Sequence, residues 1–142
     1  MTRITRAELF MRVAYLFSER STCLRGQVGA VAVIDKRIIA TGYNGAPEGF
    51  PHCTSETCNA EKPCENTIHA EANLIAFAAR AGIKLEGATL YCTHAPCKKC
   101  AQLILQSGIS SLYFSQAYHD DSGLKVLWEG ERKVTIKQYT IS

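Results

Sequence analysis

Several features that would place the sequence in particular protein classes are absent from it. No apolar run approaches the roughly 20 residues that a membrane-spanning helix needs, so no membrane partner is expected. Residues 1–6 lack the apolar core of a secretory signal, which predicts a cytoplasmic protein. Basic residues form no run longer than Lys98-Lys99 and the net charge is only +3, so a long nucleic-acid partner is not expected either.

Cysteine, in contrast, is abundant, with seven in 142 residues. In the reducing compartment that the missing signal predicts, an odd and clustered set of thiols favours metal binding over disulfide bonds. Cys92 lies within a predicted strand and is interpreted as a small buried apolar residue.

Hydrophobic periodicity predicts alternating helices and strands. The predicted helices begin with one that has the capping-box pair Thr5 and Glu8 and runs to about Arg20. The later elements are a hairpin of strands at 28–35 and 37–43, a helix at 68–81, a strand at 88–92, a helix at 97–107, a strand at 110–116, a short helix at 124–128 and a strand at 134–139.

This order predicts an α/β fold with three α/β/α layers, in which a mixed sheet of about five strands carries an N-terminal hairpin. We expect residues 1–142 to form one domain. Residues 44–67 are rich in Gly and Pro and read as a long insertion loop, which three cysteines could order by binding a metal.

Two short motifs place metal ligands at the starts of two predicted helices. His69 and Glu71 form H-x-E in the first turn of one helix, and Cys97 and Cys100 form C-x-x-C, after Pro96, in the first turn of the other. Residues three apart share a helix face, and the unpaired N–H groups of a helix start favour thiolate. Helix starts that follow strands open at the ligand-binding edge of an α/β sheet, so the motifs are predicted to converge on one metal.

The ligand number in these motifs indicates a catalytic zinc site. One nitrogen and two sulfurs leave a position for water, whereas structural zinc sites normally have four protein ligands. Glu71 would then take a proton from that water and pass it to a leaving group. Each motif alone has a simpler interpretation. The histidine could be a helix cap or a surface group, and the C-x-x-C could be a redox pair or half of a structural metal site. Their joint occurrence favours catalysis.

The signature H-x-E…P-C-x-x-C resembles that of the zinc-dependent cytidine and deoxycytidylate deaminases. The resemblance runs from about Val28 to Gln116, and the segments 21–33, 40–53 and 65–75 are similar to deoxycytidylate (dCMP) deaminases in particular. It implies a cytidine deaminase-like fold and hydrolysis of dCMP to dUMP and ammonia, which would supply dUMP for thymidylate synthesis.

The resemblance also implies roles for individual residues. Zinc on His69, Cys97 and Cys100 would activate water, while Glu71 would accept its proton, protonate ring N3 during attack on C4 and assist the loss of ammonia. The backbone N–H groups of Ala70 and Cys97 would stabilise the developing intermediate.

Three residues are candidates for binding the substrate. Arg25 resembles the family's phosphate contact, and its guanidinium can form two parallel bonds to a phosphate. Asn44 would bind the sugar hydroxyl, or would simply be a turn residue before a glycine. Tyr118 would lie against the base or phosphate, or would simply pack. The cations that compete with Arg25 are Arg20, Lys98 and Lys99.

Some dCMP deaminases carry a second, structural zinc, and four thiols here could close a tetrahedral shell. The candidates are Cys23, Cys53, Cys58 and Cys64, with His52 as a possible replacement for one of them. Reduced, unligated thiols remain the alternative.

The family resemblance further implies an allosteric nucleotide site, commonly in a hexamer, at which dCTP activates and dTTP inhibits. Mg²⁺ would accompany a triphosphate effector. The segment associated with this site is Gly42, Tyr43, Asn44 and Gly45, although a hairpin end would use the same residues.

Two rival functions stay open at this stage. An RNA, tRNA or nucleobase deaminase would use the same zinc site but needs a basic face and room for a flipped base. A non-catalytic, zinc-stabilised binding module would assign six thiols and His69 to structure and would leave Glu71 without a role.

Overall fold

A computed structural model describes residues 2–54 and 66–142, which form four helices and five strands. In chain order these are α1 Arg6–Ser18, β1 Gly29–Ile34, β2 Arg37–Tyr43, α2 Ala70–Ala81, β3 Thr89–His94, α3 Lys98–Gln106, β4 Ser111–Gln116, α4 Ser122–Glu129 and β5 Thr135–Gln138. The predicted elements are confirmed, with differences of a few residues at their ends. None of the helices among these residues has the length and apolar character needed to cross a bilayer.

The five strands form one mixed sheet in the order β2-β1-β3-β4-β5. Strand β1 is antiparallel to both β2 and β3, whereas β3, β4 and β5 are parallel to one another. The carboxyl ends of β2, β3 and β4 therefore meet the amino end of β1 at a single edge of the sheet. This edge holds the candidate active site.

The predicted hairpin between β1 and β2 is confirmed, and its turn consists of Asp35 and Lys36. Both residues have positive φ, at 49° and 64°. This is the backbone of a type I′ turn, whose twist matches that of the two strands it joins.

Side chains alternate between the two faces of the sheet, and each face is covered by helices. Val31, Val33 and Tyr91 pack with α1 on one face. Ala32 and Leu90 face the other side, within a larger core that includes α2, α3 and α4. The three-layer α/β/α prediction is confirmed, and the fully buried Cys92 lies in the larger core, as its apolar interpretation requires.

The predicted capping box of α1 forms only in part. Thr5 accepts a hydrogen bond from the backbone N–H of Glu8 at 3.1 Å, as predicted. The Glu8 carboxylate, however, accepts hydrogen bonds from Arg12 at 2.6 Å, from the Tyr139 hydroxyl at 2.8 Å and from the backbone N–H of Ser142 at 3.2 Å. Glu8 therefore connects α1 to the chain beyond β5.

Candidate active site

The starts of α2 and α3 lie together at the edge of the sheet where β2 and β3 end. Helix α2 is held against β2 because Gly42 allows close approach: a Cβ at this position would lie 2.5 Å from the carbonyl oxygen of Ala70. The side chain of Asn73 also donates to the carbonyl of Tyr43 at 2.9 Å. These contacts fix the first turn of α2 relative to the sheet.

His69 is the N-cap of α2, one position before the helical first turn in which the sequence predicts it. Its side chain makes no capping hydrogen bond. The imidazole instead extends towards the start of α3. It therefore does not cap the first-turn N–H groups of α2, which have no partners within the helix.

Cys97 is likewise the N-cap of α3, and its Sγ accepts a hydrogen bond from the backbone N–H of Cys100 at 3.5 Å. The C-x-x-C spacing thus brings both sulfurs to the same end of α3, as the sequence predicts.

The two helix starts converge as predicted. Nδ1 of His69 lies 3.5 Å from Sγ of Cys97 and 3.4 Å from Sγ of Cys100. Zn–S bonds of about 2.3 Å and Zn–N bonds of about 2.05 Å in a tetrahedral site give an N···S edge of about 3.6 Å. The spacing and the chemistry of the donors therefore fit a zinc ion, with Nδ1 as the ligand atom of His69.

Within residues 2–54 and 66–142, this is the one group of three or more His, Cys, Asp or Glu side chains that could hold a metal ion. Glu71 is not a member of the group. Three protein ligands leave one tetrahedral position open, which is the arrangement of catalytic zinc sites.

Glu71 lies in the first turn of α2 and is only 4% exposed. It lines the pocket that His69 and Cys97 also line. Burial raises the pKa of its carboxyl to about 7, against a smaller opposing effect of its own backbone N–H. A carboxyl with a pKa near neutrality can both accept and donate a proton at physiological pH.

Cys100 shows that the helix start alone does not determine the state of its thiol. Burial raises the pKa of Cys100, and the nearby Glu71 and Cys97 raise it further. The expectation that the helix start would make this residue a thiolate is therefore wrong without a cation. A divalent ion bound here would favour the thiolate, because metal binding deprotonates cysteine ligands.

A pocket of about 580 Å³ opens beside these residues. Its volume lies within the range of small-molecule sites. Among the described residues that line it, Arg25 is the only Lys or Arg and Glu71 is the only acidic residue. The competing cations Arg20, Lys98 and Lys99 do not line it.

Asn44 lies at the end of β2 and in the wall of the pocket, and its side chain is tied to the segment before β1. Its Oδ1 accepts from the N–H of Val28 at 2.8 Å, and its Nδ2 donates to the carbonyl of Gly26 at 2.9 Å. Asn44 therefore orders the segment that carries Arg25, a structural role that the sequence did not predict.

Three further aromatic side chains line the pocket. Tyr118 follows β4, and burial raises the pKa of its hydroxyl. Its ring packs at 4.0 Å from that of His119. His94 and His119 were not predicted to be site residues, although the position of His94, three residues before Cys97 at a strand end, was a usable signal.

The candidates for a second metal lie in two places. Cys23 lines the active-site pocket, whereas His52 and Cys53 line a separate pocket of about 340 Å³. Cys58 and Cys64 lie outside the described residues, so the second zinc stays a prediction.

In the segment Gly42 to Gly45, the structure gives two residues clear packing roles. Gly42 allows α2 to approach β2, as described above. Gly45 pairs with Ile68 through two backbone hydrogen bonds of 3.2 and 2.8 Å, which bring the two ends of the 44–67 segment together. The allosteric role of the segment stays a prediction.

Comparison with known proteins finds relatives that match most of the chain. It is 41% identical to ComE operon protein 2 of Bacillus subtilis (strain 168) over 139 residues, which cover 97% of this chain and 73% of that protein. It is 36% identical to the deoxycytidylate deaminase of Enterobacteria phage T2 over 152 residues, covering 80% of this chain and 81% of the phage enzyme.

Among solved structures, the dCMP deaminase from the cyanophage S-TIM5 in complex with dCMP and dUMP is similar throughout. The TM-score is 0.87 at 31% identity, and the match covers 98% of this chain and 100% of that chain. Residues 4–116 also match the family described as the cytidine and deoxycytidylate deaminase zinc-binding region. The zinc-ligand geometry, the fold and these matches agree, and the chain belongs to the zinc-binding cytidine and deoxycytidylate deaminase family.

Proposed function

We propose that this protein catalyses the hydrolytic deamination of dCMP, in which dCMP and water give dUMP and ammonia. The observation that carries the proposal is a buried carboxyl, Glu71, beside a three-ligand metal group that it does not join. Similarity to the phage and cyanophage deaminases supports dCMP as the substrate.

A zinc ion held by His69, Cys97 and Cys100 would supply Lewis acidity that brings the pKa of water close to neutrality. Glu71 would accept a proton from the attacking water at its carboxylate and deliver it to ring N3 as the new bond to C4 forms. It would carry the second proton to the amino group, which leaves as ammonia while the C4 carbonyl of dUMP forms.

The two helix starts would assist this step electrostatically. The backbone N–H groups of Ala70 and Cys97 belong to the starts of α2 and α3, where the helix dipole favours negative charge. Donation from these groups to the oxygen added at C4 would stabilise charge that develops only in the transition state.

The opposite part of the pocket would hold the sugar and phosphate. Arg25 is the candidate for the 5′-phosphate because it is the only described pocket residue with a fixed positive charge. Asn44 would use its remaining N–H to bind the sugar hydroxyl, and Tyr118 would lie against the base.

Several finer aspects extend the proposal. Residues 1–142 would act as a single cytoplasmic deaminase domain that supplies dUMP for thymidylate synthesis. The Gly42 to Gly45 segment would bind the activator dCTP and the inhibitor dTTP, with Mg²⁺ on the triphosphate, in a hexamer. Light scattering and dCMP assays with and without each effector measure these properties directly.

One assay tests the main proposal and its rivals. Ammonia release would be measured from dCMP, dCTP, deoxycytidine, CMP and a tRNA anticodon stem. We expect rapid turnover of dCMP and none of the tRNA stem. Turnover of the tRNA stem without dCMP turnover would instead identify an RNA deaminase, and the absence of all turnover in zinc-loaded protein would identify a non-catalytic zinc module.

A further inference from the structure

His94 lines the active-site pocket but has no role in the proposed proton transfers or in the metal group. It is the last residue of β3 and is half-buried. The antiparallel register that pairs Ala30 with Cys92 would, two residues further on, place Val28 beside His94. Both residues line the pocket, so His94 lies next to the segment that carries Arg25.

A short chain of hydrogen bonds fixes the imidazole of His94. The fully buried hydroxyl of Thr93 accepts from the backbone N–H of Gly29 at 3.1 Å. The same oxygen lies 2.8 Å from Nδ1 of His94. A buried hydroxyl needs an acceptor for its own hydrogen, and Nδ1 is the acceptor that these contacts provide.

The two partners of the Thr93 hydroxyl favour one tautomer of His94. If Nδ1 accepts from Thr93, the ring hydrogen must be on Nε2. Burial also lowers the pKa of His94, which favours the neutral imidazole. A neutral His94 therefore presents an N–H donor at Nε2 and no acceptor at that atom.

The neighbours of His94 indicate which part of a nucleotide this donor would meet. The zinc ligands and Glu71 are at the starts of α2 and α3, where the reacting base would lie. Arg25 belongs to the segment that lies beside His94. Asn44 anchors this segment by accepting a hydrogen bond from the N–H of Val28. A donor that lines the same pocket as the fixed positive charge of Arg25 suits a phosphate oxygen, which accepts several hydrogen bonds.

We propose that His94 binds the 5′-phosphate of the substrate through its Nε2–H together with Arg25, and that Thr93 is a positioning residue that selects the required tautomer. The proposal rests on the proposed dCMP deamination and adds the residue pair that would recognise the phosphate. It makes His94 a determinant of nucleotide over nucleoside specificity.

The tautomer can be tested without any turnover. Imidazole nitrogen NMR of the zinc-loaded protein should show His94 protonated at Nε2 and not at Nδ1. Thr93→Val, which keeps the shape of the side chain and removes the hydroxyl, should shift His94 to a mixture of tautomers. Thr89→Val on the same strand is the matched control, because Thr89 lies outside the pocket lining, and it should leave the His94 signals unchanged.

Kinetics test the phosphate contact through the ratio of kcat/KM for dCMP to kcat/KM for deoxycytidine. Loss of one hydrogen bond to a charged group should lower this ratio roughly 10- to 100-fold in His94→Leu, mainly through KM for dCMP. His94→Gln, whose amide can place a donor near the position of Nε2, should recover much of the ratio. Calorimetric affinities for dUMP and deoxyuridine give the same comparison without turnover.

The outcomes separate this inference from the proposed function. Wild-type protein that does not deaminate dCMP would reject the proposed function. If wild-type protein is active, an unchanged ratio in His94→Leu would overturn the phosphate contact, whether both substrates lose activity equally or neither does. A His94 ring protonated at Nδ1 in the wild-type protein would overturn the role of Thr93.

Discussion

Nδ1 of His69 lies 3.4 Å from Sγ of Cys100, although 31 residues separate them in the chain. The contact exists because β2 and β3 are parallel and flank β1, so that the helices following them start at the same edge of the sheet. Neither side chain could meet the other in an isolated helix. The metal site is therefore a product of the strand order.

Replacing Glu71 with Gln should remove the proton carrier and keep the metal. We expect zinc content to stay at the wild-type value while kcat for dCMP falls about a hundredfold to ten-thousandfold, the usual contribution of general acid–base catalysis. Elemental analysis and ammonia release measure the two effects. Glu129→Gln, at an exposed position on α4, is the control. Unchanged activity in Glu71→Gln would remove the proposed mechanism.

Zinc content tests the second metal site. We expect close to two zinc ions per chain, falling to about one when Cys53 and Cys58 are both changed to Ser, because two thiolates cannot complete a structural shell. Cys92→Ala serves as a cysteine control, since Cys92 lies in the apolar core. A wild-type value of one zinc per chain would reject the structural site.

Gly123 should be required for the geometry of the catalytic site. A Cβ at this position would lie 2.1 Å from the carbonyl oxygen of Pro96 and 2.9 Å from that of Cys97. Gly123→Ala should therefore displace the chain at the start of α3, at a cost of about 1–3 kcal/mol. The variant should show a lower Tm and weaker zinc binding in chelator competition.

The other end of α4 provides the control for this substitution. At Gly130, the nearest atom to an added Cβ is the carbonyl oxygen of Arg132 at 3.7 Å, an ordinary contact distance. Gly130→Ala should leave both Tm and zinc affinity close to those of the wild type. Equal effects of the two substitutions would show that packing against Pro96 does not position the metal ligands.

Glu8 should make stability depend on acid pH. The hydrogen bond from Tyr139, assisted by Arg12 and Ser142, lowers the pKa of Glu8 from 4.5 to about 2. A carboxyl whose pKa is lower in the folded state stabilises that state above pH 4.5, and the contribution disappears as the pH falls from 4.5 through about 2. Glu8→Gln should be less stable than the wild type at pH 7. Its stability should also fall less than that of the wild type when the pH is lowered from 7 into the acid range.

Urea midpoints at neutral and acid pH measure this difference. Glu19→Gln, an exposed position just beyond α1, is the control and should follow the wild-type pH dependence. Parallel pH profiles for Glu8→Gln and wild type would contradict the prediction.

Arg25→Ala should remove recognition of the phosphate. We expect kcat/KM for dCMP to fall by at least about a hundredfold while weak turnover of deoxycytidine persists, because a bidentate, charge-assisted contact is lost only for the nucleotide. Arg20→Ala is the matched control, since Arg20 is exposed and lies outside the pocket. Equal losses on both substrates would point to a different phosphate ligand.

Much of the fold was predictable because local patterns and the sheet agree. The alternation of Val31 and Val33 with Ala30 and Ala32 predicts a strand with two buried faces, and both faces are covered. The capping box of α1 was predicted less well. Tyr139 and Ser142, more than 130 positions away, compete successfully for the Glu8 carboxylate, and local spacing carries no information about such partners.

The sequence by itself determined the chemistry of the metal site, because H-x-E and C-x-x-C at two helix starts specify the donor types, their number and a carboxyl that is not a ligand. Only the tertiary structure decided which groups surround the substrate. His94 enters the pocket and Asn44 anchors the segment of Arg25 because five chain segments, distant in sequence, meet at one edge of a mixed sheet. Strand order and burial are properties of the whole chain, so no local motif records them.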